Sequence, residues 1–105
     1  MFGWLKKQVD LYGRSGRWAT VRRRHLEREP ACAACGRAKD LEVHHIRPYH
    51  ERPELELDPE NLVTLCADPC HLTFGHLLNF KRSNPHVRED AAAYRRRIDA
   101  YGDGP

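Results

Sequence analysis

The sequence has no apolar run approaching the ~18 residues that a membrane span requires. Its first residues, Met1-Phe2-Gly3-Trp4-Leu5-Lys6-Lys7, also lack the long apolar core of a signal peptide. A membrane protein is excluded and secretion is not expected, so the expected location is cytoplasmic. There is one methionine, aromatic residues make up only 9%, and mean hydropathy is −0.78. Internal repeats, low-complexity tracts and a composition shift that would mark a domain boundary are all absent. A chain of 105 residues has room for one core, and a core of this size buries only ~60–65% of the surface the unfolded chain exposes. Multi-domain enzymes and large cofactor folds are thereby excluded. A single domain over 1–105 remains, and a domain this small needs a staple.

The cysteines supply one. There are four, as Cys32-x2-Cys35, a 30-residue gap, then Cys66-x3-Cys70. Two knuckles of this kind suit one tetrahedral Zn²⁺ at Zn–S distances of ~2.3 Å. Two disulfides are disfavoured in a cytosolic chain, and no thioredoxin-like βαβ pattern surrounds the C-x2-C pair. With all four thiolates used as ligands such a zinc is structural, and any chemistry must lie elsewhere.

Lys+Arg number 18 and Asp+Glu 15, a balance of only +3, but the charge is segregated. Residues 14–28 carry Arg14, Arg17, Arg22, Arg23, Arg24 and Arg28 against Glu27 alone. Residues 51–60 carry Glu51, Glu54, Glu56, Asp58 and Glu60 against Arg52, and the chain turns basic again at Arg95-Arg96-Arg97. An arginine-rich face of this density offers a phosphate-binding surface. The acidic loop would repel a phosphate backbone, and is expected to face away from it or to cap the strands.

Ser15 is a plausible N-cap for a helix to about Glu29, with Trp18, Val21 and Leu26, joined by Arg22 or His25, on one face. Leu41–Ile46 reads as a strand stopped by Pro48, and Leu62–Leu65 as a second. A helix is expected from about Pro69 through Leu72, Phe74 and Leu77-Leu78 to Phe80, although Gly75 interrupts it. Ala91, Tyr94, Ile98 and Tyr101 mark a last amphipathic helix over about 87–101. Phe74, Phe80, Tyr94 and Tyr101 are expected in the core, and His25, His50 and His86 at the surface.

Four of the seven histidines fall around the cysteine frame: His44, His45, His71 and His76. Neighbouring strand residues point to opposite faces, so His44 and His45 have different tasks. Glu42-Val43-His44-His45-Ile46-Arg47-Pro48, then Asp58-Pro59-Glu60-Asn61-Leu62-Val63-Thr64-Leu65-Cys66, then Cys70-His71, resembles the HNH endonuclease family over about residues 15–80. The resemblance implies an α+β, zinc-stabilised ββα-metal fold with flanking helices. It also implies His44 as a metal ligand and His45 as the general base on the attacking water. Asn61 would brace the loop between the strands or help hold the metal, and His71 would be a ligand from the helix. A third histidine ligand in such proteins tends to lie one turn further on. Here the candidate is His76, five positions from His71 and so ~140° around a regular helix, unless Gly75 or the longer knuckle distorts it.

The residue types suit phosphodiester hydrolysis. A divalent ion can polarise the phosphate and stabilise the leaving oxygen. A histidine near its ordinary pKa of ~6.5 is a competent base at neutral pH. Imidazole ligands suit Zn²⁺ or Ni²⁺, and the resemblance keeps Mg²⁺ and Mn²⁺ as working ions. The resemblance implies a DNA endonuclease of low sequence selectivity leaving 5′-phosphate and 3′-hydroxyl ends. Arg14, Arg17, Arg22, Arg23, Arg24 and Arg47 would bind DNA, and a phage packaging or restriction protein would be the partner. The rival reading is a zinc-stabilised nucleic-acid-binding or adaptor module without catalysis, which accounts for cysteines and arginines but not for four site residues in order.

Overall fold

The computed structural model describes residues 16–102, so Arg14 and the expected Ser15 cap lie outside the described residues. The first helix, α1, spans Trp18–Arg28. It stops where Pro30 forces Glu29 out of helical geometry, at φ −130° and ψ 78°. Strand β1 (Leu41–His45) pairs antiparallel with β2 (Leu62–Cys66), Leu41 opposite Cys66 and His45 opposite Leu62. Two 3₁₀ turns, Pro53–Leu55 and Pro59–Asn61, carry the acidic loop between them. The last helix, α2, runs Val87–Gly102. This is the small α+β architecture expected, two antiparallel strands with flanking helices.

Every residue of β2 is buried, because α1 and the segment after Cys70 both pack against it. β1 is covered unevenly along one face, with Glu42 exposed near its start and His44, two residues on and on the same face, buried. Cys32, Ala34, Val63, Leu65, Cys66 and Cys70 form one cluster with Val87 and Ala91 from α2. The apolar core is thus built around the cysteines themselves.

One side chain fastens three elements together. Glu29 Oε1 accepts from the Thr64 backbone N–H (2.7 Å) and from His25 Nε2 (2.9 Å), and both carboxylate oxygens accept from Arg88 of α2. Arg88 also donates to the Leu62 carbonyl (2.8 Å). Burial alone would raise the Glu29 pKa, but the bonds from Arg88, Thr64 and His25 hold it below the usual carboxylate range. His25 is therefore buried, at 3% exposure, rather than at the surface, because it faces Glu29 one turn on. His50 and His86 are exposed as expected.

The expected helix over 69–80 does not form. A π-helical turn spans His71–Gly75, and the chain then curls back so that the Leu78 N–H donates to the Leu72 carbonyl (2.9 Å). Leu77 and Leu78 follow in left-handed backbone, at φ 53° and 70°. That conformation costs about 1–2 kcal/mol for each residue bearing a Cβ. The curl leaves Leu77, Leu78 and Phe80 exposed at 42%, 70% and 64%. Of the four aromatics expected inside, only Phe74 packs on the core; Tyr94 and Tyr101 join Phe80 at the surface. Buried Asn84 ties this region to α2: its Nδ2 donates to the Phe74 carbonyl and to Asp90 Oδ2 (both 2.9 Å), and its Oδ1 accepts from the His86 N–H (3.0 Å).

Candidate metal centres

The first centre is the cysteine frame. Sulfur atoms of Cys32, Cys35, Cys66 and Cys70 all lie within 4.8 Å of one another. The Cys35 and Cys66 sulfurs are 3.8 Å apart, matching the ~3.8 Å edge of a tetrahedron with Zn–S bonds of ~2.3 Å. The first knuckle is closed by the Gly36 N–H on the Cys32 carbonyl (2.9 Å), with Gly36 at φ 80°, and the Cys35 N–H points at the Cys32 sulfur (3.4 Å). Burial raises the Cys32 thiol, but backbone N–H groups of Cys35, Cys66 and Ala34 outweigh it and bring the pKa to about 7. Burial and the neighbouring sulfurs push Cys35 and Cys70 up instead. Four sulfurs around one point cannot all ionise without a cation between them, and the donor set fits Zn²⁺.

The second centre is a histidine cluster. His44 comes from β1, His71 opens the π turn and His76 closes it, with ring nitrogens again within 4.8 Å of one another. His44 Nδ1 lies 3.1 Å from His71 Nε2, and His76 Nε2 lies 3.2 Å from that same atom. Three nitrogens at tetrahedral Zn–N distances of ~2.0–2.1 Å would stand ~3.3 Å apart, close to what is seen. The π turn is what brings His76 in. It wraps more residues than an α turn, so residues five apart return to one side.

The outward nitrogens are held by the chain. His71 Nδ1 lies 3.3 Å from a Glu42 carboxylate oxygen, and His76 Nδ1 lies 2.8 Å from the Arg82 carbonyl oxygen. Both partners accept, so the proton sits on each Nδ1 and the Nε2 lone pairs face inward. Burial first, then the neighbouring imidazoles, lowers the His44 pKa to about 3. Burial also lowers that of His71, against the opposing pull of Glu42. Neutral imidazoles are the form that binds a cation. His44 Nε2 is buried without a hydrogen-bond partner and lies under Gly75.

His45, on the other face of β1, is not in the cluster. Its Nε2 donates to the Glu56 carbonyl (2.9 Å), which puts the lone pair on Nδ1, and its ring packs at 4.5 Å on the Trp18 indole of α1. A cleft of about 250 Å³ has Glu42, His44, His45, Tyr49, His71 and His76 along its walls. The acidic loop caps the strands through its backbone, since Glu56 is buried and its carbonyl orients His45.

Asn61 takes one of its two expected roles. Its Oδ1 accepts from the Arg47 N–H (2.8 Å), and its Nδ2 donates to the Arg47 and Leu55 carbonyls (both 3.1 Å). The amide bonds to backbone through both its oxygen and its nitrogen and braces the loop. Among the arginines, Arg17, Arg23, Arg24 and Arg47 are exposed, while Arg22 is half-buried beside Trp18 and Glu42.

Sequence reasoning passed over Trp18 as a partner of His45, and Glu42 and the Arg82 carbonyl as partners of the cluster. Glu42 carried a usable signal, because a residue two before His44 on a strand shares its face. Trp18 and Arg82 carried none, since tertiary folding alone brings them there. Among the described residues no helix is long and apolar enough to cross a membrane.

Residues 32–76 match the family described as HNH endonuclease, a span that begins at the first cysteine of the frame and ends at the third clustered histidine. No curated protein and no solved structure matches the chain.

Proposed function

We propose that this chain, an HNH-type protein through residues 32–76, is a metal-dependent endonuclease that hydrolyses DNA phosphodiester bonds. The observation that carries the reading is the pairing of two unlike histidine environments on one strand. His44 joins a cluster of converging imidazoles, while His45 beside it is held by a backbone carbonyl.

The division of labour follows from those environments. His44, His71 and His76 would hold a divalent ion, with Glu42 and the Arg82 carbonyl fixing two of the rings. Such an ion supplies charge neutralisation for the phosphate and for the leaving 3′-oxygen. His45 takes a proton from the attacking water on Nδ1, while the Glu56 carbonyl keeps Nε2 protonated and the Trp18 ring limits tilt. The water oxygen bonds to phosphorus as the bond to the 3′-oxygen breaks; that oxygen takes a proton from solvent, His45 returns its own proton to solvent, and the products are a 5′-phosphate and a 3′-hydroxyl. Arg17, Arg22, Arg23, Arg24 and Arg47 contact backbone phosphates, which confers affinity without sequence readout. The cysteine frame holds Zn²⁺ and takes no part in the reaction.

Conversion of supercoiled plasmid by the zinc-loaded protein with added Mg²⁺, Mn²⁺, Ni²⁺ or Zn²⁺ tests this directly. His45→Ala should slow nicking by about 10²–10⁴-fold while DNA binding and zinc content stay unchanged. Retained nicking would remove His45 as the base. A protein that shifts DNA on a gel yet cleaves with no metal would be the non-catalytic binding module instead.

A further inference from the structure

The turn after His76 exposes three large apolar side chains; Phe80 stands beside the histidine cluster, whereas Leu77 lines a groove with Phe74 and Tyr94. Leu77 and Leu78 stand exposed in left-handed backbone, and Phe80 lies against the His76 ring at 4.9 Å and the His71 ring at 5.9 Å. The turn is firmly built: the Leu78 N–H bonds to the Leu72 carbonyl, the Asn79 N–H to the His76 carbonyl (3.0 Å), and the Lys81 N–H to Asn79 Oδ1 (2.9 Å). Its far end, Arg82, both accepts from His76 Nδ1 and closes on the Asn79 carbonyl (2.8 Å). A narrow cleft runs from His44, His45 and His76 to Phe80, Lys81 and Arg82, so the turn forms one wall of the site.

The backbone explains the shape of this turn but not its side chains. A left-handed pair would be relieved by glycine at either place. Leucine there adds strain and leaves apolar surface in water, two unfavourable features in the turn that carries Phe80. Lys81 and Arg82, both exposed, follow directly. Apolar tips followed by cations are the composition that enters a minor groove, where leucine or phenylalanine separates a base step and the cations meet the flanking phosphates.

We infer that Leu78 and Phe80 form an apolar wedge that inserts at a base step of duplex DNA next to the phosphate held at the histidine cluster. This rests on the nuclease reading for its ligand. The wedge would favour flexible pyrimidine–purine steps, giving the protein a shape preference without base-edge contacts.

The test uses full-length zinc-loaded protein carrying His45→Ala, so that DNA stays intact, and duplexes with 2-aminopurine placed at successive positions. The protein with its leucines should raise 2-aminopurine emission at one step. Adding Leu78→Gly should abolish that rise and weaken binding by about tenfold. The salt dependence should not change, because no phosphate contact is lost. The thermal midpoint should stay level or increase, because the left-handed strain is relieved. Unchanged affinity and emission would overturn the wedge. So would a lowered midpoint, which would make Leu78 a structural lock. Unaltered DNA binding with loss of a dimer on gel filtration would assign the turn to a second copy of the chain, also overturning it. The nuclease reading fails separately: protein with His45 intact that never nicks DNA but still raises emission keeps the wedge and loses the enzyme.

Discussion

Gly75 has no Cβ, and the place where one would sit is taken by the His44 imidazole, with Cε1 and Nε2 each 3.1 Å away. The residue that appears in the sequence as a helix breaker is thus the floor on which a candidate ligand rests. Gly75→Ala should push the His44 ring out of line with His71 and His76, since buried Val63 lies opposite His44 across the sheet and restricts retreat. Affinity for Co²⁺ or Zn²⁺ at the histidine centre should fall by about 10–100-fold, the range seen when a ligand's support is lost. Metal titration after the cysteine centre has been filled reads this directly, and unchanged affinity would show that the site accommodates the methyl. His25 was misread at the same scale. Nothing in an arginine-rich helix marks one histidine as buried until Glu29 is seen to hold it.

Among the elements, β1 and β2 were legible almost to the residue, because alternation and β-branched residues mark them and prolines bound them. The segment after Cys70 was not. Its apolar residues keep helical spacing, but backbone geometry sends Leu77 and Leu78 outward and closes a π turn over His71–Gly75 instead. That distortion makes a five-residue spacing of histidines productive. How α1 and α2 are fixed to β2 was equally hidden, because the polar tie converges on one carboxylate. Glu29→Gln should lower stability by about 2–3 kcal/mol, as Arg88 loses its anionic partner and the Thr64 N–H keeps only a neutral acceptor. Chemical denaturation reads the loss, and an unchanged midpoint would mean that Arg88 and the apolar contacts suffice.

For the whole molecule, the core and the cysteine frame are one object, since Cys32, Cys66 and Cys70 are themselves buried core residues. Cys32→Ser should therefore abolish cooperative thermal unfolding rather than merely reduce zinc content, because metal binding in such a frame is folding free energy. A folded, zinc-free Cys32→Ser protein would refute this. The histidine cluster adds a pH dependence. His44 has a folded pKa near 3 and an unfolded value near 6.5, and that of His71 is also lowered. Between those values the unfolded chain binds more protons, so stability rises with pH there and levels off above about 6.5. The thermal midpoint of protein lacking metal at the histidine centre should fall as pH drops from 7 towards 5. His44→Gln should flatten part of that slope, and an unaltered slope would assign the dependence to the thiolates.

Sequence alone determined the cysteine frame, the two strands, the opposite facing of His44 and His45, and the order of residues shared with the HNH family. Each of these is encoded by local spacing: knuckle separation, strand alternation, and histidines tied to both. Tertiary structure alone decided that Asn61 turns its amide wholly to the loop backbone and that His76 joins His44 and His71. It also decided that Trp18 packs on His45, that Phe80 stands at the rim of the cleft, and that the two leucines before it take left-handed backbone. These depend on where chain segments meet across the fold and on which left-handed or π conformations the packing imposes, and neither is written in any periodicity of residues.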